Sequence, residues 1–569
     1  MEKATAKGGV PSSDSGDAAN AKVSVPNSDS ADTANAKESP QTISNLQLSL
    51  VISGLWLSLF LCSLETTIVS TSLIHISNDL DDLNQAGWIV VAYLLTFNAF
   101  ILIWSKLSDT FGTKWLLLSA NFVFVVFSIA CAVSKTMVQL IIFRAFQGIG
   151  GSGMYSLVFV VMAQIVPLDK LGICTGILSS VFALASLLGP ILGGVISDNT
   201  TWRRSPLISS SAPGIAVVFA ILSKFMENPK SKKEVRDSMK TMDVVGALLS
   251  LAWAIPLIFA LQEGGDKYEW NSGVIIGTLV TGGVMLILFV LWEGWVYRRT
   301  NIDGIFPVRL LKRSVTVLIF LSLLWLGFTF YVPVIQIPQR FQHVNNTTAT
   351  RAGILVLPLT LVSPCSALCS GILVGKNRYW APALAILGGC LNVIGIALIS
   401  TLPIDSDISS AQFGYQTLIG LSLGLLTPSL MYLIKIQVDE KDIAGAMGVG
   451  NMGRTLGGCI GLAIGGSLLH RELDKDLPKF LTEQQIEALE VSSSLARSML
   501  TEEQQVRVAE VYGKGFNLQF KALIAFAGLS LLAAVFLFFA HIRSLKEQEA
   551  SRTTEREELN GTTSEQVEH

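Results

Sequence analysis

The chain has 569 residues, half of them hydrophobic and 15% charged, with a net charge of −2 and a mean hydropathy of +0.53. A water-soluble chain of this length carries more charge and interrupts its apolar runs, so the composition excludes an ordinary soluble multidomain protein. The net charge itself says nothing about partners; no nucleic acid is expected. Residues 1–45 predict a disordered cytoplasmic tail: Pro11–Lys22 and Pro26–Lys37 are near copies, and neither carries the apolar residues of a core. No cleavable leader is recognisable, so the first helix is expected to direct insertion.

From Leu48 to Ile542, apolar runs alternate with short charged loops. A run of ~20 residues rises ~30 Å as a helix, the thickness of a bilayer's hydrocarbon core, and about fourteen such runs are expected. The first six lie near 47–71, 86–106, 115–134, 139–166, 172–196 and 206–225, forming an N-terminal bundle over 46–225. A basic loop, 226–242, precedes a two-helix insert over 243–296, with spans near 243–262 and 273–296. A second basic linker, 297–314, leads to a C-terminal bundle over 315–542, with spans near 315–337, 351–374, 379–401, 412–436, 443–469 and 518–542. The fold class is therefore an all-α polytopic membrane protein.

The long segment 471–516 carries two capping-box starts, Thr482 with Gln485 and Thr501 with Gln504, each predicting a short polar helix outside the bilayer. The tail 543–569 is charged and predicted to be disordered. Basic residues concentrate in alternate loops: Lys106 and Lys114; Lys230, Lys232, Lys233, Arg236 and Lys240; Arg298, Arg299, Arg309, Lys312 and Arg313; Lys376 and Arg378. That asymmetry puts those loops and both termini in the cytoplasm.

All seven cysteines fall inside predicted spans without metal or redox spacing, so they read as packing residues and no metal is expected. Candidate glycosylation sequons stand at Asn199, Asn345 and Asn346 in predicted external loops close to the membrane; another, at Asn560, falls in the predicted cytoplasmic tail.

Four stretches carry candidate chemistry. The loop after the second span reads Ser105-Lys-Leu-Ser-Asp109-Thr-Phe-Gly112-Thr-Lys114: a carboxylate, a tight glycine turn and a cation can latch two helix ends in one state and release them in another. An ordinary cytoplasmic turn is the competing reading. The fourth span carries Arg144, Gln147, Gly148, Gly150 and Gly151, and the first span holds one acid, Glu65. An arginine inside a membrane helix is costly and faces a polar interior. Paired with Glu65, it suggests a proton site; the alternative is a hydrated acid at the external mouth. The fifth span reads Gly189-Pro190-Ile-Leu-Gly193-Gly194, where small residues allow close helix approach and Pro190 permits a bend. The span near 443–469 has a glycine ladder, Gly453, Gly457, Gly461 and Gly465, with Arg454 beside its first rung. Packing accounts for the ladder but not for Arg454.

The first three of these motifs, in this order, resemble the loop, fourth-helix and antiporter signatures of the major facilitator superfamily. The fourteen expected spans and the segment Leu64-Glu65-Thr66-Thr67-Ile68-Val69 narrow the resemblance to its fourteen-span drug:proton antiporter branch, fungal toxin and multidrug efflux type. Local likenesses include Asp243 with Gly246, Leu261-Gln-Glu-Gly-Gly265, Tyr268-Glu-Trp270, and Pro338-Gln-Arg-Phe341-Gln342 leading to Gly353 and Leu357-Pro358. The resemblance covers about residues 45–545. It implies two six-helix bundles rocking about a central cavity, with substrate exchanged for protons and the proton gradient, not a cofactor, as energy source. By resemblance, Asp109, Gly112 and Lys114 belong to the cytoplasmic gate, Glu65 and Arg144 to proton coupling, and Gly189, Pro190, Gly193 and Gly194 to a helix that bends and seals during export.

The chain departs from the pattern in four places. Glu65 replaces the usual Asp, Ser105 replaces a Gly, and Trp202-Arg203-Arg204-Ser205-Pro206 with Ser209 replaces a Trp-Arg-Trp run with a later Asn. The second-half loop copy, Gly371-Ile-Leu-Val-Gly375-Lys376-Asn-Arg378, lacks an acid, so the main latch is expected in the first half.

Candidate cavity liners are Asn98, Gln147, Phe328, Tyr331, Gln336, Gln342, Tyr415, Asn451 and Arg454. A largely apolar pocket with sparse polar groups suits a bulky amphipathic organic compound. The expected function is proton-coupled export of such a toxin, drug or secondary metabolite from the cell, by a monomer in the cell membrane. Siderophore uptake and vacuolar loading of basic amino acids are the alternatives, the latter with the vacuolar membrane as location. No phosphate loop G-x-x-x-x-G-K-[ST] marks an ATP-driven pump, no repeated pore motif marks a channel, and the five scattered histidines mark no enzyme. A transport-dead sensor is opposed by intact Asp109 and Arg144.

Overall fold

Long runs of Leu, Ile, Val and Phe, unbroken by charge, satisfy their backbone groups in a lipid-like interior only as helices. The computed structural model describes residues 45–80, 85–199, 203 and 232–565, apart from 266, 301, 378, 405–406 and 492–498. The described residues are almost wholly helical, with two isolated bridges, Met242 to Asp303 and Gly264 to Tyr268. The span expected near 206–225, the N-terminal repeats, Lys230, Arg204 and Arg378 lie outside the described residues.

The first bundle comprises α1 (Asn45–Asp79), α2 (Ala86–Phe111), α3 (Thr113–Val133), α4 (Met137–Ile165) and α5 (Leu168–Asn199). A short helix, α6 (Lys232–Lys240), lies within the basic loop and leads into the insert, α7 (Val244–Glu263) and α8 (Gly273–Arg299). The second bundle comprises α9 (Ser314–His343), α10 (Ala349–Leu355), α11 (Leu357–Lys376), α12 (Trp380–Ile399), α13 (Ala411–Gln437), α14 (Ile443–Asp476), α15 (Glu483–Val491) and α16 (Glu502–Glu565). Among the described residues, 12 helices are long and apolar enough to cross a membrane. At 32 residues α5 is a further candidate, and it continues through Pro190.

Two ends differ from the sequence expectation. In the segment 471–516, α14 continues to Asp476, the first capping box opens the short helix α15, and the second opens the last membrane helix itself rather than a short one. There Thr501 N–H donates to Gln504 Oε1 at 3.0 Å, and Gln504 N–H donates to Thr501 Oγ1 at 3.3 Å. The tail predicted to be disordered from 543 is helical to Glu565, because Lys546-Glu-Gln-Glu-Ala550 and the following residues contain no proline and are mostly good helix formers.

The bundles meet chiefly along two helix pairs, α5 with α11 and α2 with α14, and α4 also touches α14. In the first pair, a Cβ on Gly172 would stand 2.1 Å from Gly371 Cα, and a Cβ on Gly375 would stand 2.4 Å from the Asp169 carbonyl oxygen. In the second, Ser105 donates its hydroxyl to the Ala444 carbonyl, and a Cβ on Gly448 would meet Ser105 Cβ at 2.5 Å. Lys435 adds a bond to the Val166 carbonyl. All these contacts lie at the end where α2 turns into α3, so the bundles are closed against each other on that face. The acid-poor second-half motif thus contributes Gly371 and Gly375 as a backbone seam.

The insert packs on α2 and α14. Asp243 holds its two helices together, accepting from Gly246 N–H at 2.7 Å and from Trp292 Nε1 at 2.9 Å. Trp270 donates to Ser467 of α14 at 2.7 Å. The outer side of α8 exposes Val280, Ile287, Val290 and Leu291, a surface suited to lipid.

Candidate functional site

The α4 residues Arg144, Gln147, Gly148, Gly151, Tyr155 and Phe159 recur every three or four positions and therefore share one face. Its glycines admit the neighbouring helices. A Cβ on Gly148 would stand 2.4 Å from the Tyr93 carbonyl oxygen, and one on Gly151 would stand 2.5 Å from the Tyr93 hydroxyl. That approach lays α2 against Arg144: the guanidinium carbon is 4.6 Å from the Tyr93 ring centroid, and Nε donates to the Ile89 carbonyl at 3.2 Å.

Glu65 reaches the same point from α1 and is fully buried. Its Oε1 accepts from Arg144 Nη1 at 2.9 Å and from Gln147 Nε2 at 3.2 Å. Arg144 Nη1 also donates to Gln147 Oε1 at 2.7 Å, and Gln147 Nε2 donates to Ser128 of α3 at 2.6 Å. Four helices therefore supply one closed polar network around a single carboxylate. Burying such a pair is costly unless both charges are bonded, and removing either partner typically destabilises by ~3–5 kcal/mol. A proton on Glu65 would replace its attraction to Arg144 with a weaker neutral hydrogen bond, so protonation loosens the junction of α1 and α4. The external-mouth alternative for Glu65 does not hold, since its side chain is enclosed.

At the gate, Gly112 has φ +83°, the left-handed region that glycine tolerates, and is the single residue between α2 and α3. Asp109 pairs with Lys106 one turn earlier at 3.8 Å, and Lys114 lies half-buried in the first turn of α3. Gly189 is buried within α5; the side-chain placement of Pro190 and the positions of Gly193 and Gly194 as packing elements lie outside what is described. Arg203, in the departing segment, pairs with Asp79 at the end of α1 and donates to the Ser134 carbonyl at 3.3 Å.

Several cavity candidates sit elsewhere than expected. Gln147 belongs to the Glu65 network. Phe328 stacks on Phe526 at 4.3 Å, filling a helix junction between α9 and α16 because glycines at 457 and 461 bring α14 close. Gln342 bonds the Pro338 carbonyl at 3.3 Å, and Tyr415 is half-buried near the start of α13. Asn98 Oδ1, Gln336 Oε1 and both amide atoms of Asn451 are buried without a hydrogen-bond partner. Arg454 is buried and donates to the hydroxyl of Tyr155, across the bundle interface; Tyr331 lies beside that hydroxyl. Of the sequons, Asn346 is exposed at φ +52°, Asn345 Nδ2 donates to the Asp407 carbonyl at 3.2 Å, and the side chain of Asn199 lies outside the described residues.

A family profile described as the Major Facilitator Superfamily matches residues 55–462. The chain belongs to the major facilitator superfamily. It is 41% identical over 499 residues to the MFS-type transporter FPY5 of Fusarium mangiferae, covering 86% of this chain and 83% of that protein. It is 30% identical to the efflux pump roqT of Penicillium rubens, covering 86% and 90% of the two chains. The efflux pump aunC of Aspergillus niger is also 30% identical, covering 87% of each. Two solved structures share the fold: the human organic anion transporter MFSD10, with a TM-score of 0.52 at 14% identity over 86% of this chain and 99% of that one, and a bacterial homologue of the lysosomal transporter Spinster, with a TM-score of 0.51 at 15% identity over 88% and 98%. As a major facilitator, the protein is a multi-pass membrane transporter of small molecules and not an enzyme.

Tyr93, Phe97, Tyr155, Phe159 and Phe330 were not singled out by the sequence, where aromatics in apolar spans resemble packing. For the α4 pair the signal was present: Tyr155 and Phe159 continue the three- and four-residue spacing that starts at Arg144.

Proposed function

We propose that this major facilitator exports a bulky amphipathic organic compound, a toxin, drug or secondary metabolite, in exchange for protons by alternating access. The observation that carries the reading is the enclosed Glu65–Arg144–Gln147 network: a lone acid held by a cation at a four-helix junction is a group whose charge state controls packing. A proton entering from outside would neutralise Glu65, weaken its bond to Arg144 and so release the junction. The efflux-pump names of its relatives support export as the direction.

The distribution of Lys and Arg puts the α2–α3 turn in the cytoplasm. The closed seam of Gly172, Gly371, Ser105 and Gly448 is then the cytoplasmic gate, with Asp109, Gly112 and Lys114 at its rim. Gly189, Pro190, Gly193 and Gly194 allow α5 to bend as the opposite side seals. We place the working monomer in the cell membrane, with Asn98, Gln336, Asn451 and Arg454 facing substrate.

The test is efflux from pump-deficient yeast expressing the chain, with a panel of fluorescent drugs and fungal metabolites, with and without a protonophore. Protonophore-sensitive loss of a compound from the cells is expected. Iron-dependent growth on siderophores without efflux would overturn the export reading.

A further inference from the structure

Arg454 stands on α14 where that helix nearly touches α9: a Cβ on Gly327 would lie 2.0 Å from the Arg454 carbonyl oxygen, and one on Gly457 would lie 2.1 Å from that of Leu324. The seam leaves the side chain directed at the other bundle. Its guanidinium carbon is 5.7 Å from the ring centroid of Tyr155, 5.5 Å from Phe159 and 5.8 Å from Phe330. Arg454 is only 3% exposed, and its Nε has no hydrogen-bond partner. Among the described residues no carboxylate lies within ion-pair distance of it. One turn earlier, on the same face, Asn451 is fully enclosed with both amide atoms unpartnered.

Arg144 shows how this chain neutralises an arginine it needs for structure: with a glutamate, a glutamine and a backbone carbonyl. Arg454 has only aromatic faces and the phenols of Tyr155 and Tyr331. Cation–π contact offsets part of the cost of burying a guanidinium, but a membrane-buried arginine without an anion still calls for one. The planar fork of Arg suits a carboxylate or an acidic enol, Asn451 offers an amide to its neighbouring oxygen, and the three rings would flank a flat apolar body.

We propose that Arg454 binds the anionic group of the transported compound, which is an organic acid carrying a flat apolar body, held between Tyr155 and Phe159 of one bundle and Phe330 of the other. This rests on the export reading for its substrate but adds the sign of its charge. Binding would draw Arg454 away from the Tyr155 hydroxyl and so exchange an inter-bundle contact for a contact with substrate. A basic amino acid would meet a like charge at this point.

The experiment is equilibrium dialysis of the purified full chain in detergent with three probes of one shape: 1-naphthoate, its uncharged methyl ester and 1-naphthylmethylammonium. The acid is expected to bind at least about tenfold tighter than the ester, with the amine weakest. Arg454→Gln should bring the acid-to-ester ratio to about one, and Arg454→Lys should retain part of it. Ester or amine binding equal to or better than the acid, no binding of the acid, or an unchanged ratio in Arg454→Gln would overturn the proposal. Should Arg454→Gln not fold, the wild-type ratios and Arg454→Lys still decide. Dialysis needs no proton gradient, so an intact ratio with no proton-driven flux would strike the coupling reading alone.

Discussion

Arg144 and Arg454 stand at the two ends of one run of aromatic rings. Tyr93 lies under Arg144 and stacks with Phe97 at 5.8 Å; Phe97 meets Tyr155 at 5.5 Å; and Tyr155 accepts a hydrogen bond from Arg454. The run joins the buried acid of one bundle to the buried cation of the other. Such adjacency is a structural route, and coupling along it has to be measured. Phe97→Ala opens a gap in the middle without touching either arginine. It is expected to leave substrate binding within a few-fold and to weaken coupling by ~0.5–2 kcal/mol, seen as proton leak without substrate in reconstituted vesicles. Unchanged leak would mean the rings serve only as packing.

Arg144 makes bonds in two directions, Nη1 to Glu65 and Gln147, and Nε to the Ile89 carbonyl. A lysine has one nitrogen and cannot serve both. Arg144→Lys is therefore expected to be about as inactive in uphill transport as Arg144→Ala. Both should lower thermal stability, because Glu65 is left buried and poorly compensated, by ~3–5 kcal/mol for alanine. Substantial transport by the lysine variant would show that charge alone suffices.

The closed seam is testable by adding one methyl group. Gly172→Ala places a carbon against the Gly371 backbone, which cannot give way. Flux should fall at least ~10-fold, and a cysteine introduced by Ile173→Cys, beside the seam, should become more reactive to a membrane-impermeant maleimide added at the α2–α3 face. Mass spectrometry of the labelled peptide reads this directly. Ser105→Ala removes one inter-bundle hydrogen bond, worth ~1 kcal/mol, and should raise the same labelling only a few-fold.

The sign of the substrate charge has an electrical consequence. Expelling a monoanion against one entering proton moves two positive charges inward, and each is worth ~2.3 kcal/mol per 100 mV. Collapsing the membrane potential with valinomycin and potassium, at fixed pH gradient, should then slow export of an organic acid markedly. A cation exchanged one-for-one would be insensitive.

Helix positions and the motif order were legible in the sequence because hydrophobic length and intramembrane charge are local signals. Glu65 and Arg144 stood out since each is costly where it lies. What faces what was not legible. Phe328 was indistinguishable from a cavity liner until Phe526 of a distant helix was seen to stack on it, and Ser105 looked like a simple departure until Ala444 and Gly448 were found against it. The end of α16 was misjudged because charged residues rich in Glu, Lys and Gln serve a solvated helix as well as a disordered tail.

The central claim is that Glu65 carries the proton. Its most direct measurement is export by the full chain in proteoliposomes under an imposed pH gradient, comparing wild type with Glu65→Gln, a substitution of nearly the same shape. The account predicts that Glu65→Gln loses uphill, gradient-driven transport while retaining substrate binding and gradient-free exchange. Accumulation against a gradient by Glu65→Gln at a rate near wild type would contradict it and place the proton on another group.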